Sequence, residues 1–428
     1  MDHILNINQE VIFNDNIENY QFHSYRPFNA DSLSSNDEIR ISMFQNDIFT
    51  LPSESYLFIE GKLEKNKKSG GGGGDVADDP AATYAKLINN AFAFLFDEIR
   101  FEINSVEVDS IRNVGIASTL KIYSCVFPNQ IRALENAGIV DPNNNSDNMT
   151  LSSSSSSSII NEEDQRFNVC LPLSYLLNFF EDYKKILVNV KQELILKRSR
   201  SDVDALVGDP ITAKDCTIKL EKVIWNIPHV KLSDSAKLQI YKIIESAQPL
   251  PLAFRSSELH EYPNLPSTNK LSWHVKTSNQ LHKPRYVIIA FQTDRKDNIA
   301  KNRSIFDSAD IRNVKLYLND NQYPYNDMQL DFTSGRISQL FEEYIRFRQE
   351  YYGVGRSEAL FDRKGFSKTP FVVINCAKQP DRLNTGVVDI HIQIDTNKPF
   401  APKTSAYCLI IHDMLLHYVP LSGLVQRY

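Results

Sequence analysis

Phe96-Asp97-Glu98-Ile99-Arg100-Phe101-Glu102-Ile103-Asn104-Ser105-Val106-Glu107-Val108-Asp109 carries the sharpest periodic signal in the chain. Ile99, Phe101 and Ile103 alternate with Glu98, Arg100 and Glu102. Asn104-Ser105 supplies a turn, and Val106 and Val108 then alternate with Glu107 and Asp109. Successive side chains of a strand point to opposite faces, so the stretch predicts an antiparallel hairpin with one wet face.

Further strand-like runs lie at Tyr56 to Leu63, Gln192 to Lys197 and Cys216 to Ile227, then at Leu271 to Thr277, Tyr286 to Gln292, Val314 to Leu318, Phe371 to Asn375, Val387 to Ile394 and Tyr407 to Tyr418. Helical spacing is confined to three places. Pro172 opens a segment with Leu176, Phe180, Tyr183 and Leu187 on one side, enough for about four turns. Ser233 or Ser235 precedes Leu238, Tyr241 and Ile244, and Ser334 stands as a cap before Ile337 to Tyr351. Many short strands with a few helices between them predict an all-β chain of sandwiches or jelly rolls; the alternation is too irregular for βαβ units.

The chain has 428 residues, 42% of them hydrophobic, which suits two cores better than one. The order of features repeats. Tyr56 to Ile59 corresponds to Tyr286 to Ile289, and the Ile99 to Asp109 hairpin to Val314 through Tyr323-Pro324. Gln192 to Lys197 corresponds to Val387 to Ile394, and Cys216 to Val230 to Cys408 to Val419. The simplest reading is one β-rich unit of about 200 residues used twice. Residues 1–50, polar and rich in Asn and Asp, read as an N-terminal arm. Residues 51–250 and 251–428 read as the two units, with the boundary in the proline-containing segment 246–270. Gly70 to Gly74 and Ser152 to Ser158 mark flexible insertions near 66–80 and 141–163.

A net charge of -6 argues against a broad cationic face for nucleic acid. Cys125, Cys170, Cys216, Cys376 and Cys408 are odd in number and widely spaced, unlike a disulfide framework. No run approaches a membrane span and the N-terminus lacks a secretory pattern, so a soluble, intracellularly made protein is expected, with the sequons at Asn144, Asn148 and Asn302 unused.

The chemistry-bearing patterns are weak. No phosphate loop, zinc helix or nucleophile elbow is present, and Gly70 to Gly74 lead into no Lys-Ser or Lys-Thr pair. His412 and His417, five apart, fall on opposite faces of a strand. Asp141, Asn143, Asn145 and Asp147 space oxygen donors as a calcium loop does but lack its glycine and final glutamate. Asp202-Val203-Asp204 reads as an ordinary loop, and Lys197, Arg198 and Arg200 beside it as a salt-bridged cluster. No catalytic, cofactor-binding or metal-ligating residue is nominated, and no enzyme activity is expected.

The run Ala91 to Cys125, with Phe96 to Asn104 and Asn113-Val114-Gly115-Ile116, resembles the early hairpin of double jelly-roll major capsid proteins of eukaryotic DNA viruses and Polinton-like elements. Leu171-Pro172-Leu173-Ser174, Phe180-Glu181-Asp182-Tyr183, Lys191 to Leu196 and Asn313 to Asn319 are similar to the hexon-like proteins of adintovirus-type elements. The resemblance extends from about Tyr56 to the C-terminus and rests on the order of the motifs. It implies two tandem jelly-roll β-barrels with short helices in their connections, a homotrimer that imitates a hexagon, and capsomers that tile an icosahedral virion shell. It also implies a separate vertex or penton protein, and no cofactor or direct sequence-specific nucleic-acid binding. Leu415, Leu416, Tyr418, Leu421 and Leu424 either serve the subunit contact or complete the second core. The competing reading is a cellular β-sandwich binding protein without catalytic activity, which would be monomeric or dimeric around a ligand groove.

Deleting Ser69 to Asp75, or shortening Ser152 to Ser158, is expected to leave the melting temperature nearly unchanged, because loop entropy varies slowly with length. Loss of the cooperative melt in either deletion would show that the segment is structural.

Overall fold

The hairpin forms, with one irregularity that matters. In the computed structural model, which describes residues 16–28, 33–44, 49–65, 85–143, 150–151, 159–161, 164–211, 213, 215–277, 283–355, 358–378 and 388–427, Phe101 stands opposite Asp109, yet Glu102 stands opposite Glu107. Val108 is therefore an extra residue, a β-bulge. The bulge inverts the alternation beyond it. Asp109, expected on the wet face, lies on the Phe101 face and is buried.

Eight principal strands, beside several of two or three residues, make the first unit: β1 (Ile17–Tyr25), β2 (Glu38–Met43), β3 (Tyr56–Lys65), β4 (Phe96–Ile103), β5 (Val106–Arg112), β6 (Arg166–Pro172), β7 (Gln192–Arg198) and β8 (Cys216–Leu232). They pair antiparallel in two sheets, ordered β1-β8-β3-β6 and β2-β7-β4-β5. Eight more make the second: β9 (Leu250–Tyr262), β10 (Lys270–Val275), β11 (Pro284–Thr293), β12 (Ile311–Leu318), β13 (Asn321–Tyr323), β14 (Val372–Asn375), β15 (Ile390–Thr396) and β16 (Thr404–Val419). Their orders, β9-β16-β11-β14 and β10-β15-β12-β13, repeat the first unit strand for strand. The four correspondences read from the sequence occupy equivalent places: β3 with β11, β4-β5 with β12-β13, β7 with β15, and β8 with β16. Among the described residues each unit is a pair of open sheets, as expected of sandwiches or jelly rolls, and neither closes into a barrel. Inward side chains such as Leu57, Ile99, Leu194 and Trp225, or Val287, Leu316, Ile392 and Leu416, fill one continuous apolar core.

Several expectations need correction. The first 50 residues are not simply an arm: β1 and β2 belong to the first unit, and Ile39, Ile41 and Met43 of β2 enter its core. The segment 246–270, read as holding the boundary, contains β9. Pro251 is tolerated there since β9 is an edge strand, paired only with β16. The four-turn helix from Pro172 is absent. Pro172 ends β6, a single turn follows at Leu173–Tyr175, and only α2 (Asn178–Asp182) is α-helical. The helix before it in sequence, α1 (Val114–Cys125), was not foreseen, because all of its residues are buried and no amphipathic stripe exists to read. In α3 (Asp234–Glu245) the packed face holds Ile240, Tyr241 and Ile244, while Leu238 is exposed. Ser334 bonds Asp331 and does not cap α4 (Ser338–Tyr352). The runs Gly70 to Gly74 and Ser152 to Ser158 lie outside the described residues.

Antiparallel strands place successive connections at alternate ends of a unit. The three longest, residues 66–95, 113–165 and 324–371, all leave the same end. At the other end β4-β5 and β12-β13 are joined by tight turns at Asn104-Ser105 and Asn319-Asp320, in which Asn104, Ser105 and Asn319 have positive φ. The chain thus has a long-loop end and a short-turn end.

Gly61 lies on β3 where β8 bulges between Leu220 and Lys222. A Cβ there would stand 2.4 Å from the Lys219 carbonyl oxygen, which is backbone and cannot swing away. Gly61→Ala is expected to cost about 1–3 kcal/mol in denaturant unfolding; an unchanged midpoint would mean that β8 relaxes freely.

Candidate functional site

The richest convergence of polar side chains lies on the seam where the two units meet. Its first anchor is Asp109, the residue after the bulge. One carboxylate oxygen accepts the Phe179 N–H of α2 at 2.9 Å, and the other accepts the Ser256 hydroxyl of β9 at 3.1 Å. Burial pushes this carboxyl up to about 6, although those two bonds and the Lys121 ammonium pull it down.

The second anchor is the last residue of α2. Asp182 accepts the Arg255 backbone N–H at 2.8 Å and its Nε at 2.7 Å, and pairs with Nη2 as well. Arg255 Nη1 donates to the Tyr351 carbonyl at 2.8 Å, and the guanidinium stacks 3.5 Å from the Tyr351 ring centroid. Burial alone would lower the Arg255 pKa, but the bonds to Asp182 hold it above its ordinary value. A planar donor fork met by a carboxylate, a carbonyl and an aromatic face is a fixed geometry, which a lysine would not reproduce.

Around these, Glu181 accepts Tyr352 Oη at 2.8 Å and pairs with the buried Lys121 Nζ of α1 at 2.9 Å. Tyr344 Oη of α4 donates to the Tyr123 carbonyl of α1 at 3.0 Å. Phe179 packs edge-on against Phe254 with centroids 5.2 Å apart. At the short-turn end Asn104 Nδ2 donates to the Gly423 carbonyl at 2.8 Å. At the long-loop end Asp204 pairs with the buried Arg303 at 2.9 Å and accepts the Asp297 N–H at 2.7 Å. A cleft of about 620 Å³ there is lined by Asn113, Ser199, Asp204, Lys296 and Arg303, so the long-loop ends of the two units coincide.

The residues weighed from the sequence fall as follows. Arg198 and Asp202 form a buried pair at 2.9 Å, while Lys197 and Arg200 are exposed. Asp204 belongs to the seam. Asn143 receives the Asp362 N–H at 3.0 Å and so ties the start of the 141–163 insertion to the second unit; Asn145 and Asp147 lie outside the described residues. His412 is buried opposite Ser256 and His417 half-buried opposite Pro251, both on β16. Of the C-terminal apolar residues, Leu416 and Tyr418 are interior, and Tyr418 Oη reaches across the seam to the Val188 carbonyl at 2.9 Å. Leu415, Leu421 and Leu424 are exposed. Among the described residues no three His, Cys, Asp or Glu side chains are arranged to hold a metal ion, and no helix is long and apolar enough to cross a membrane. Sequence reasoning missed Arg255 because the neighbouring prolines masked the alternation of Leu252, Phe254 and Ser256.

Asp109 gives a testable sign. A carboxyl with a raised folded-state pKa binds its proton more tightly in the folded protein, so its contribution favours folding at low pH and is lost as pH rises from about 4 through 6. Asp109→Asn is therefore expected to gain stability relative to the wild type over that interval, by on the order of 3 kcal/mol. A pH-independent difference between the two melting curves would contradict the buried, charge-penalised carboxyl.

The double jelly roll-like domain model matches residues 85–416. No curated protein sequence matches. Among solved structures the chain is similar to the Faustovirus major capsid protein, with 8% identity, a TM-score of 0.63, and coverage of 96% of this chain and 92% of that one. It is also similar to a chain of the Sputnik virophage, at 10% identity, TM-score 0.61 and coverage of 99% and 91%. The mavirus major capsid protein is similar at 11% identity, TM-score 0.57 and coverage of 99% and 92%. Identities this low speak to the fold, and they agree with the strand order described above. With the family model spanning most of its length and every strand of both units in place, the chain belongs to the double jelly roll-like domain family.

Proposed function

We propose that this chain is a viral major capsid subunit that forms pseudo-hexameric homotrimers and tiles an icosahedral shell. The observation that carries the reading is the duplication: one chain holds two units of identical strand order, fixed side by side by a dense polar seam, with their long connections gathered at one end. Two like wedges per chain become six around a three-fold axis, and a near-hexagon tiles. The solved relatives from Faustovirus and mavirus are major capsid proteins. The long-loop end, which carries both expected insertions, faces outward in this reading, and the short-turn end faces the interior.

The units divide at about residue 250. The protein acts by assembly rather than catalysis: its partners are further copies of itself and a separate vertex protein. It reaches the virion from a soluble intracellular pool and makes no sequence-specific contact with the genome. The cellular binding-module reading draws no support from the cleft on the seam, which is lined by charges of both signs rather than by an apolar or aromatic surface.

Light scattering of the purified chain is expected to give close to three times 49.0 kDa, with hexagonal outlines in negative stain. A stable monomer at micromolar concentration, unchanged by crowding or high salt, would overturn the capsid reading.

A further inference from the structure

A lysine is rarely buried, and when it is, its three ammonium donors need acceptors. Lys121 of α1 is buried, and its Nζ meets the Ser174 carbonyl at 2.6 Å, Asn178 Oδ1 at 2.5 Å and Glu181 Oε2 at 2.9 Å. Glu181 supplies the countercharge and Ser174 a backbone acceptor. Neither role calls for the carboxamide of Asn178, which stands at the start of α2 and is 3% exposed. Its contact with Nζ sets a primary amine against a carboxamide whose carbon lies one covalent bond beyond Oδ1. Cys125 and Phe179, neighbours on the same two helices, are buried as well, so little water reaches the contact. Glu181 is itself held in place: Tyr352 Oη donates to its Oε1 at 2.8 Å and Tyr351 Oη to its Oε2 at 3.3 Å. A nucleophile, a carbonyl centre and a carboxylate oriented by further groups are thus gathered within one buried site.

We propose that Lys121 and Asn178 join in an intramolecular isopeptide bond, formed by the chain itself with Glu181 as the proton carrier. Glu181 takes a proton from the Lys121 ammonium across their 2.9 Å pair. The freed lone pair attacks the Asn178 Cγ; the Nζ–Cγ bond forms and the carbonyl electron pair moves to Oδ1. Glu181 passes its proton to Nδ2, the carbonyl re-forms, the Cγ–Nδ2 bond breaks and ammonia leaves. The surplus proton on Nζ then reaches the ammonia through Glu181. The products are a secondary amide, an ammonium ion and the carboxylate present at the start, with no oxidant, cofactor or second substrate consumed. Holding amine and carboxamide in contact replaces an improbable encounter, and the dry site protects the product from hydrolysis. The reaction occurs once per chain, so it is compatible with a protein that turns over no substrate, and it does not depend on the capsid reading. Its structural effect is to tie α1 to α2, across positions 57 apart that enclose the 141–163 insertion. Closing so long a span restricts the unfolded chain as a disulfide does, without oxidising conditions. Because α2 also carries Asp182, the bond secures the helix that holds Arg255.

The test is the intact mass of the purified full-length wild type, reduced and unfolded before measurement. The bonded chain should be lighter than its sequence by one ammonia, about 17 Da, and a protease digest should yield a branched peptide that contains both Lys121 and Asn178. A chain at its full sequence mass overturns the proposal. So does the same mass loss found on a linear peptide, as closure of an asparagine on its own backbone would give. Glu181→Gln keeps the shape and removes the proton carrier; it is expected to hold the native far-ultraviolet spectrum and the full mass. A bonded Glu181→Gln chain overturns the role given to Glu181. If Glu181→Gln does not fold, Glu181→Asp takes its place. Its retracted carboxyl should slow bonding roughly a hundred-fold, and a bonded fraction equal to that of the wild type at matched early times after synthesis overturns the same role.

Discussion

The architecture depends on how the first unit holds Arg255. Two adjacent carboxylates of α2 divide the work: Asp182 takes the guanidinium from β9, and Glu181 takes Lys121 and Tyr352. Neither cation is left in the seam without an acceptor, which matters because a charge removed from water and stripped of its partner is strongly destabilising. Asp109 completes the arrangement by accepting one bond from each unit, and it can do so only because the bulge at Val108 turns it inward. With the seam fixed, the angle between the two units is fixed, and so is the shape of the wedge pair that assembly would use.

Rigidity at the seam also explains the division between the two ends of the chain. Tight Asn-containing turns close one end. The other accommodates the connections 66–95, 113–165 and 324–371, whose helices α1 and α4 fold back to meet at Tyr123 and Tyr344. The loops can therefore vary in length without disturbing the sheets beneath them, as expected of connections that only need to return to a fixed scaffold.

Much of this was legible in the residues, and the gaps have physical causes. Strands with one wet face, such as β4, β7, β12 and β15, announced themselves by alternation. Their order was enough to expose the duplication that the sheet topology repeats. β1 was invisible for the opposite reason: exposed on both faces, it has no apolar side to alternate. β2 does alternate, at Ile39, Ile41 and Met43, but the signal drowned in the polar composition around it. α1 hid because burial on all sides removes periodicity, and β9 hid behind prolines that an edge strand tolerates. The seam was the least readable part. Alternation places Asp109 on the wet face, since a bulge adds one residue without a sequence mark, and Arg255 falls in the proline-containing segment read as the boundary between units. Residues that join two units obey the geometry of both, and neither local pattern contains it.

The central claim is that the polar seam of Asp109, Asp182 and Arg255 fixes the two units of one chain against each other. A cryo-electron microscopy map of the purified protein tests it most directly. The account predicts that β5 and α2 meet β9 in every copy, with Asp182 on Arg255 and one constant angle between the units. Copies in which the units touch through other strands, or at varying angles, would contradict it.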